Sequence, residues 1–372
     1  MSIQDVNAYS LVHATVRALY STMLAPETWS ALVEAQDFDA VLTVLSKTVY
    51  GPYLQIERQE LTPRRAIYQI RWHLADLYEK IIRLTPGPGQ QLLLQLWRLY
   101  EVDNLKATLR GIETGASWDQ VRHLLCPMAK YITLTTASME KMIQSGDVAR
   151  AIELIRHTPY YETLVHALER YRAERNLFPL EVALDLDYHR GLWQSIHQLT
   201  GTDHEQALRI AGTVLDVDNL LWAIRYRVYH HLSEQEIINY TLPFGYRVRD
   251  EDIRAIAAGA DIAQVVKHIY PGVQIPPSLI SGGGEGGGGL AALELSCQRH
   301  IVKTCRAAFI GYPFHVGIPA AYLLLNEHEI RDLTVLIEAK SSHLPMEMFA
   351  SMLEIQPVGA GLPTTPPQTD QR

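Results

Sequence analysis

Apolar residues recur along this chain at intervals of three and four, and strictly alternating runs are scarce. That periodicity predicts helix almost throughout, and therefore an all-α fold. Residues 281–289 interrupt it with seven glycines around Glu285 and read as a flexible connector. They lack the Gly-Lys-Ser/Thr ending of a phosphate-binding loop. Residues 358–372, rich in Pro, Thr and Gln, read as a disordered tail. Residues 307–325 contain no Asp, Glu, Lys or Arg and nearly reach a membrane-spanning length. Gly311, Pro313, His315, Gly317 and Pro319 break that run, which predicts a buried loop entering a buried helix and no direct membrane span.

The pattern also repeats. Glu101-Val102-Asp103-Asn104-Leu105, Asp216-Val217-Asp218-Asn219-Leu220 and Glu329-Ile330-Arg331-Asp332-Leu333 lie 115 and 113 residues apart. Each is expected to open a helix, over 101–110, 216–225 and 329–338, with its acid in the first turn where the helix dipole favours a carboxylate. Arg110 and Arg225 follow in the first two copies. The trios Val102, Leu105, Leu109, then Val217, Leu220, Ile224, then Ile330, Leu333, Ile337 fall on one helix face. A second unit, two short helices separated by an aspartate, recurs at Asp37, Asp147 and Asp261, each placed to cap the second helix. Residues 48–54 also resemble 158–164, including Tyr50 and Tyr160. The two units alternate, so the chain starts and ends in mid-repeat. Only a meeting of its ends completes the third copy, which predicts one closed body over residues 1–357, built from three related units of about 113 residues. An open array would instead need capping repeats.

Composition narrows the function. The chain has 372 residues, a net charge of −8 and three cysteines. It is long enough to bury a full core and lacks the overall basic charge of a nucleic-acid binder. An odd cysteine count without CxxC pairs fits a reducing compartment. Cys297 and Cys305 align with Leu184 and Leu192, through the match of Leu293-Glu294 to Leu180-Glu181, and read as apolar helix residues. His204-Glu205 and His328-Glu329 start like a zinc-protease motif, but Leu208 and Asp332 stand where the second histidine is needed. There is no Gly-x-Ser-x-Gly elbow. The expectation is therefore no catalytic residue, no metal and no cofactor. Trp222, Tyr226 and Tyr229 form a helical stripe, interspersed with Arg225 and Arg227. Arg225, Tyr226 and Arg227 are candidates to face an acidic partner, against the alternative that the arginines lie over the helix's own core.

The repeated pattern of acid, Asn-Leu and downstream Arg resembles the C-subunit family of V-type ATPases and ATP synthases, whose eukaryotic member is the d-subunit. The residues carrying it are Glu101, Asn104 and Arg110, then Asp216, Asn219 and Arg225. The run from Ala321 through Glu329, Arg331 and Leu333, the stretch from Leu180 to Tyr188, and Tyr9, Val16, Arg17 and Leu24 add to it. Asp332 departs from the family's more frequent Asn, and Asn326 from its Lys. The resemblance implies a non-catalytic, funnel-shaped rotor component with pseudo-three-fold symmetry. It implies a monomer within its complex, peripheral on the cytoplasmic side of the membrane. Its partners would be the membrane proteolipid ring and the central shaft subunits of D and F type, with torque passed between them. The competing reading is an all-helical repeat scaffold for a different protein complex.

Overall fold

The computed structural model describes residues 3–57, 60–276 and 288–355. The expected tail and most of the expected glycine connector lie outside the described residues. Gly288 and Gly289 are already helical.

All secondary structure among the described residues is helical. The first group comprises α1 (Ile3–Tyr20), α2 (Pro26–Glu34), α3 (Phe38–Leu45) and the long pair α4 (Pro63–Leu84) and α5 (Gly87–Glu113). The second runs through α6 (Trp118–Val121), α7 (Thr136–Ser145), α8 (Val148–Leu154) and α9 (Tyr160–Glu174) to the long pair α10 (Phe178–His197) and α11 (Gly201–Val228). The third runs through α12 (Glu234–Asn239), α13 (Asp250–Ala257) and α14 (Ile262–Ile269) to the long pair α15 (Gly288–Ala307) and α16 (Gly317–Ser341). A last short helix, α17 (Met346–Phe349), follows.

Local chemistry sets many of the helix starts. Asp37, Asp147 and Asp261 cap α3, α8 and α14, each accepting from the backbone N–H three residues on, at 2.8–2.9 Å. Thr62 caps α4, with Pro63 in its first turn. Ser233 and Glu236 form a reciprocal capping box at α12. Residues 308–316 form the expected non-helical entry but not a fully buried one, since Ile310 is 82% exposed; α16 is buried from Gly317 to Ile330, as expected.

The expected helix starts at Glu101, Asp216 and Glu329 need correction. These acids lie in the middle of α5, α11 and α16, which begin at Gly87, Gly201 and Gly317. The true starts are the glycine and proline positions upstream. The acids therefore do not interact with the first turn of their own helix.

The six long helices pack in a cycle. Within each pair, α4 lies against α5, α10 against α11 and α15 against α16. Between pairs, α5 packs on α10, α11 on α15, and α16 returns to α4. The N-terminal elements α1 and α3 also contact α16. Lys340 donates to the Val33 carbonyl at 2.7 Å and Arg17 to the Phe309 carbonyl at 2.7 Å. The first turns of α11 and α16 meet at Asp203, whose carboxylate accepts from the Val316 N–H and the Tyr9 hydroxyl, both at 2.7 Å. Gly89 of α5 completes this junction, because a Cβ there would lie 2.8 Å from the Tyr9 oxygen and 3.1 Å from Val316.

Candidate functional site

The sequence-predicted acids are among the most buried polar groups of the molecule. Glu101, Asp216 and Glu329 are 2%, 0% and 1% exposed. A carboxylate in such surroundings is tolerated only if donors surround it. Each has a tyrosine hydroxyl and at least one backbone N–H from segments 30 or more residues away.

Glu101 accepts from the N–H groups of Thr133 and Leu134 and from the Tyr160 hydroxyl. Asp216 accepts from the N–H groups of Tyr246, Arg247 and Val248 at 2.8, 2.6 and 3.2 Å, and from the Tyr270 hydroxyl at 2.8 Å. Glu329 accepts from the Leu24 N–H at 3.0 Å and the Tyr50 hydroxyl at 2.8 Å. Each tyrosine comes from the segment after an aspartate-capped helix: Tyr50 after α3, Tyr160 at the start of α9, and Tyr270 at the end of α14. The third acid is thus served from the opposite end of the chain.

One helical turn further on, a second side chain fixes another loop. Asn104 donates to the Cys126 carbonyl and accepts from its N–H, at 2.8 and 2.7 Å. Asn219 does the same to Leu242, at 2.9 and 2.8 Å. Asp332 stands in the corresponding place. Having no donor when ionised, it accepts two N–H groups instead, from Glu354 at 2.8 Å and Ile355 at 2.7 Å. The departure from Asn at this position thus comes with a loop turned to present two donors.

Burial raises the pKa of Asp216, Glu329 and Asp332, and the donors pull it back. Asp216 is raised by burial, opposed by Arg247 N–H, Tyr270, and the Val248 and Tyr246 N–H groups. Burial lifts Glu329 to about 7 against the bonds from Tyr50 and Leu24, with Asp332 adding repulsion. Asp332 is itself pushed up to about 7 by burial, against the N–H groups of Glu354 and Ile355.

The remaining predicted residues are used inside the chain. Arg110 grips Glu181 of α10 with Nε and Nη2, and Arg225 grips Glu294 of α15 at 2.6 Å. These are corresponding pairs, because Glu181 aligns with Glu294. Arg331 lies 3.3 Å from Glu354, which also bonds His328. Arg225, Tyr226 and Arg227, expected to face a partner, each make contacts within the chain. Arg225 is in the ion pair just described. Arg227 donates to the carbonyls of Ile256, Gly259 and Ala260, closing the C-terminal end of α13. Tyr226 is buried against Phe178 and Tyr240. The arginines' charge serves neighbouring elements rather than covering their own helix's core.

Sequence reasoning missed the partners of the acids. Tyr270 follows its capping aspartate by 9 residues where Tyr50 and Tyr160 follow by 13, so the shared spacing concealed it. It also missed a further buried carboxylate, Glu327 on α16, which accepts from the Tyr78 hydroxyl. Burial raises its pKa, against Tyr78, Arg331 and Tyr100. Cys297 and Cys305 are buried free thiols in α15, as the repeat alignment implied. Among the described residues, no group of three His, Cys, Asp or Glu side chains is placed to hold a metal ion. No helix among them is long and apolar enough to cross a membrane.

Comparison with known proteins finds relatives along nearly the whole chain. The sequence model of the ATP synthase (C/AC39) subunit matches residues 12–352. The C-subunit of the A-type ATP synthase of Methanocaldococcus jannaschii is 24% identical over 355 residues, covering 94% of this chain and 87% of the relative. The corresponding protein of Archaeoglobus fulgidus is 23% identical, covering 94% and 96%. That of Methanosarcina mazei is 22% identical, covering 93% of each. With the match spanning both outer carboxylate nodes and the helices that close the cycle, the chain belongs to the ATP synthase (C/AC39) subunit family.

Proposed function

We propose that this chain is the non-catalytic central-stalk component of an A/V-type ATP synthase. In this reading it seats D- and F-type shaft subunits on the membrane proteolipid ring and passes torque between them. One copy sits on the cytoplasmic side of the membrane. It meets the membrane through the ring, and it forms a single body over residues 1–357 with approximate three-fold repetition.

The observation that supports this most is the closed cycle of long helices, completed by the Glu329 contacts with Leu24 and Tyr50. A part that carries torque must not unwind under load. An open helical stack has a free end at which twist is lost, whereas a closed cycle has none. Dense interiors transmit strain with little compression. Buried carboxylates that each fix a loop to the middle of a long helix add directional links that resist sliding.

The test is co-purification of the full chain, in detergent and at low salt, with a proteolipid ring and with the shaft subunits. The reading predicts a complex with both, one copy of the chain per ring. A chain that binds neither overturns it.

A further inference from the structure

Between the first and second groups of helices, α4, α6, α7 and the irregular segment after α6 enclose a groove of about 700 Å³. Its wall is aromatic, with Tyr68 edge-on to Trp72 and Trp118 lining the same space. Met128 and Met139 supply an adaptable floor. Among the described residues, three arginines line it, Arg64, Arg65 and Arg122, and Glu60 is the one carboxylate in the lining. Glu60 is already paired with Arg65 at 2.7 Å, and Asp119 lies 3.3 Å from Arg122. Three arginines against these two acids leave one excess positive charge, contributed by Arg64, on a chain whose net charge is −8.

The corresponding place in the third unit, between α15 and the turn after α17, is bridged from within. Arg299 reaches across to the carbonyls of Ser351 and Leu353, at 2.8 and 2.9 Å. In the first unit Arg71 makes the comparable bond to the Leu124 carbonyl at 3.3 Å, yet the groove beside it stays open. Tryptophan, tyrosine, methionine and arginine with few acids is the composition of the energetic centre of a protein–protein interface. The charge selects the occupant, since a basic rim around an apolar wall complements an acidic amphipathic segment.

We propose that this groove docks an acidic amphipathic helix of a neighbouring subunit. Its apolar face lies on Trp72, Trp118 and the methionines, and its carboxylates lie on Arg64, Arg65 and Arg122. The proposal rests on the reading of the chain as part of an assembled ATP synthase and adds a partner contact to it.

The test places the photo-reactive p-benzoylphenylalanine at position 118 in the full chain and identifies the cross-linked peptide in the purified complex by mass spectrometry. The expected product is a net-acidic segment of another subunit with apolar residues at helical spacing. The paired substitution Arg64→Glu and Arg122→Glu should lower its yield at least about fivefold, with the chain still folded and present in the complex. Raising salt from about 0.05 M to about 0.5 M should lower it too. A product with a basic or uncharged segment, with lipid or with a second copy of this chain overturns the proposal. So does no product from a complex that contains the chain. If the chain never enters the complex, the reading on which the proposal rests fails first, and the proposal falls with it.

Discussion

Glu101 and Asp216 draw their donors from the 30 to 59 residues that follow them, whereas Glu329 draws its own from Leu24 and Tyr50, 305 and 279 residues back. The first two nodes can form as soon as the next stretch of chain has folded. The third forms only when the two ends meet, so it carries the largest loop-closure cost. It is also the least well supplied, with two donors against three for Glu101 and four for Asp216. The same side-chain chemistry thus serves as a local staple in two places and as the clasp of the whole body in the third.

The largest expected effect comes from removing the segment that completes the clasp. Deleting residues 1–57 strips Val12, Val16, Trp29, Leu32 and Tyr50 from the core, all at most 2% exposed. It also leaves Glu329 without either donor. Thermal unfolding followed by circular dichroism should lose its single cooperative transition. A sharp transition within a few degrees of the full chain would show that the clasp is dispensable.

Next come the acids themselves, where donor number sets the order. Asp216→Ala orphans four donors and should cost ~4 kcal/mol or more, while Glu329→Ala orphans two and should cost ~2–3 kcal/mol. Glu101→Ala should fall between them. Denaturant midpoints at constant slope would measure this, and a reversed order would end the idea that the third node is the weakest. Gly245→Ala probes the tightest node from its loop side. A Cβ there would lie 2.3 Å from the Asp216 carboxylate and 2.7 Å from the Val248 carbonyl. The expected cost is ~1–3 kcal/mol, typical of overpacking.

Smaller still is a pH effect expected at the third node and at Asp332 beside it. Glu329 and Asp332 rise from ordinary values of 4.5 and 3.8 to about 7 when buried. The folded state then holds protons that the unfolded state has released. Their contribution to stability is therefore greatest below about pH 4 and falls as pH rises through about 7, beyond which it is flat. Lowering pH from about 8 to about 6 should raise the melting temperature, and Asp332→Asn should reduce that gain by removing one of the two ionisations. An equal gain in both proteins would assign the effect elsewhere. The smallest change expected is for Arg110→Ala, whose pair with Glu181 is largely solvent-exposed on the arginine side and should be worth under ~1 kcal/mol.

Much of the frame was legible in the sequence because its signals are local. The capping aspartates Asp37, Asp147 and Asp261 needed only a helix break and the next apolar period. The all-helical class followed from spacing alone. Glu101, Asp216 and Glu329 stand out in the sequence as similar positions, but they read there as helix starts, which they are not. Glu101-Val102-Asp103 has the composition of a first turn, whereas the actual boundary is the Pro86-Gly87-Pro88 stretch upstream. What made these acids suitable for helix interiors is a set of N–H groups and hydroxyls distant in sequence, and no periodicity encodes those. Arg227 illustrates the same limit, since the carbonyls it holds belong to α13, some thirty residues on.

The closed body is proposed to couple two machines, and ion pumping reports on coupling without intermediaries. ATP-driven ion uptake and ATP hydrolysis should be followed together in vesicles holding the complex assembled without this chain, and again after the full chain is added. The rotor role predicts hydrolysis without uptake in its absence and restored uptake on addition. Uptake that proceeds unchanged without the chain would contradict it.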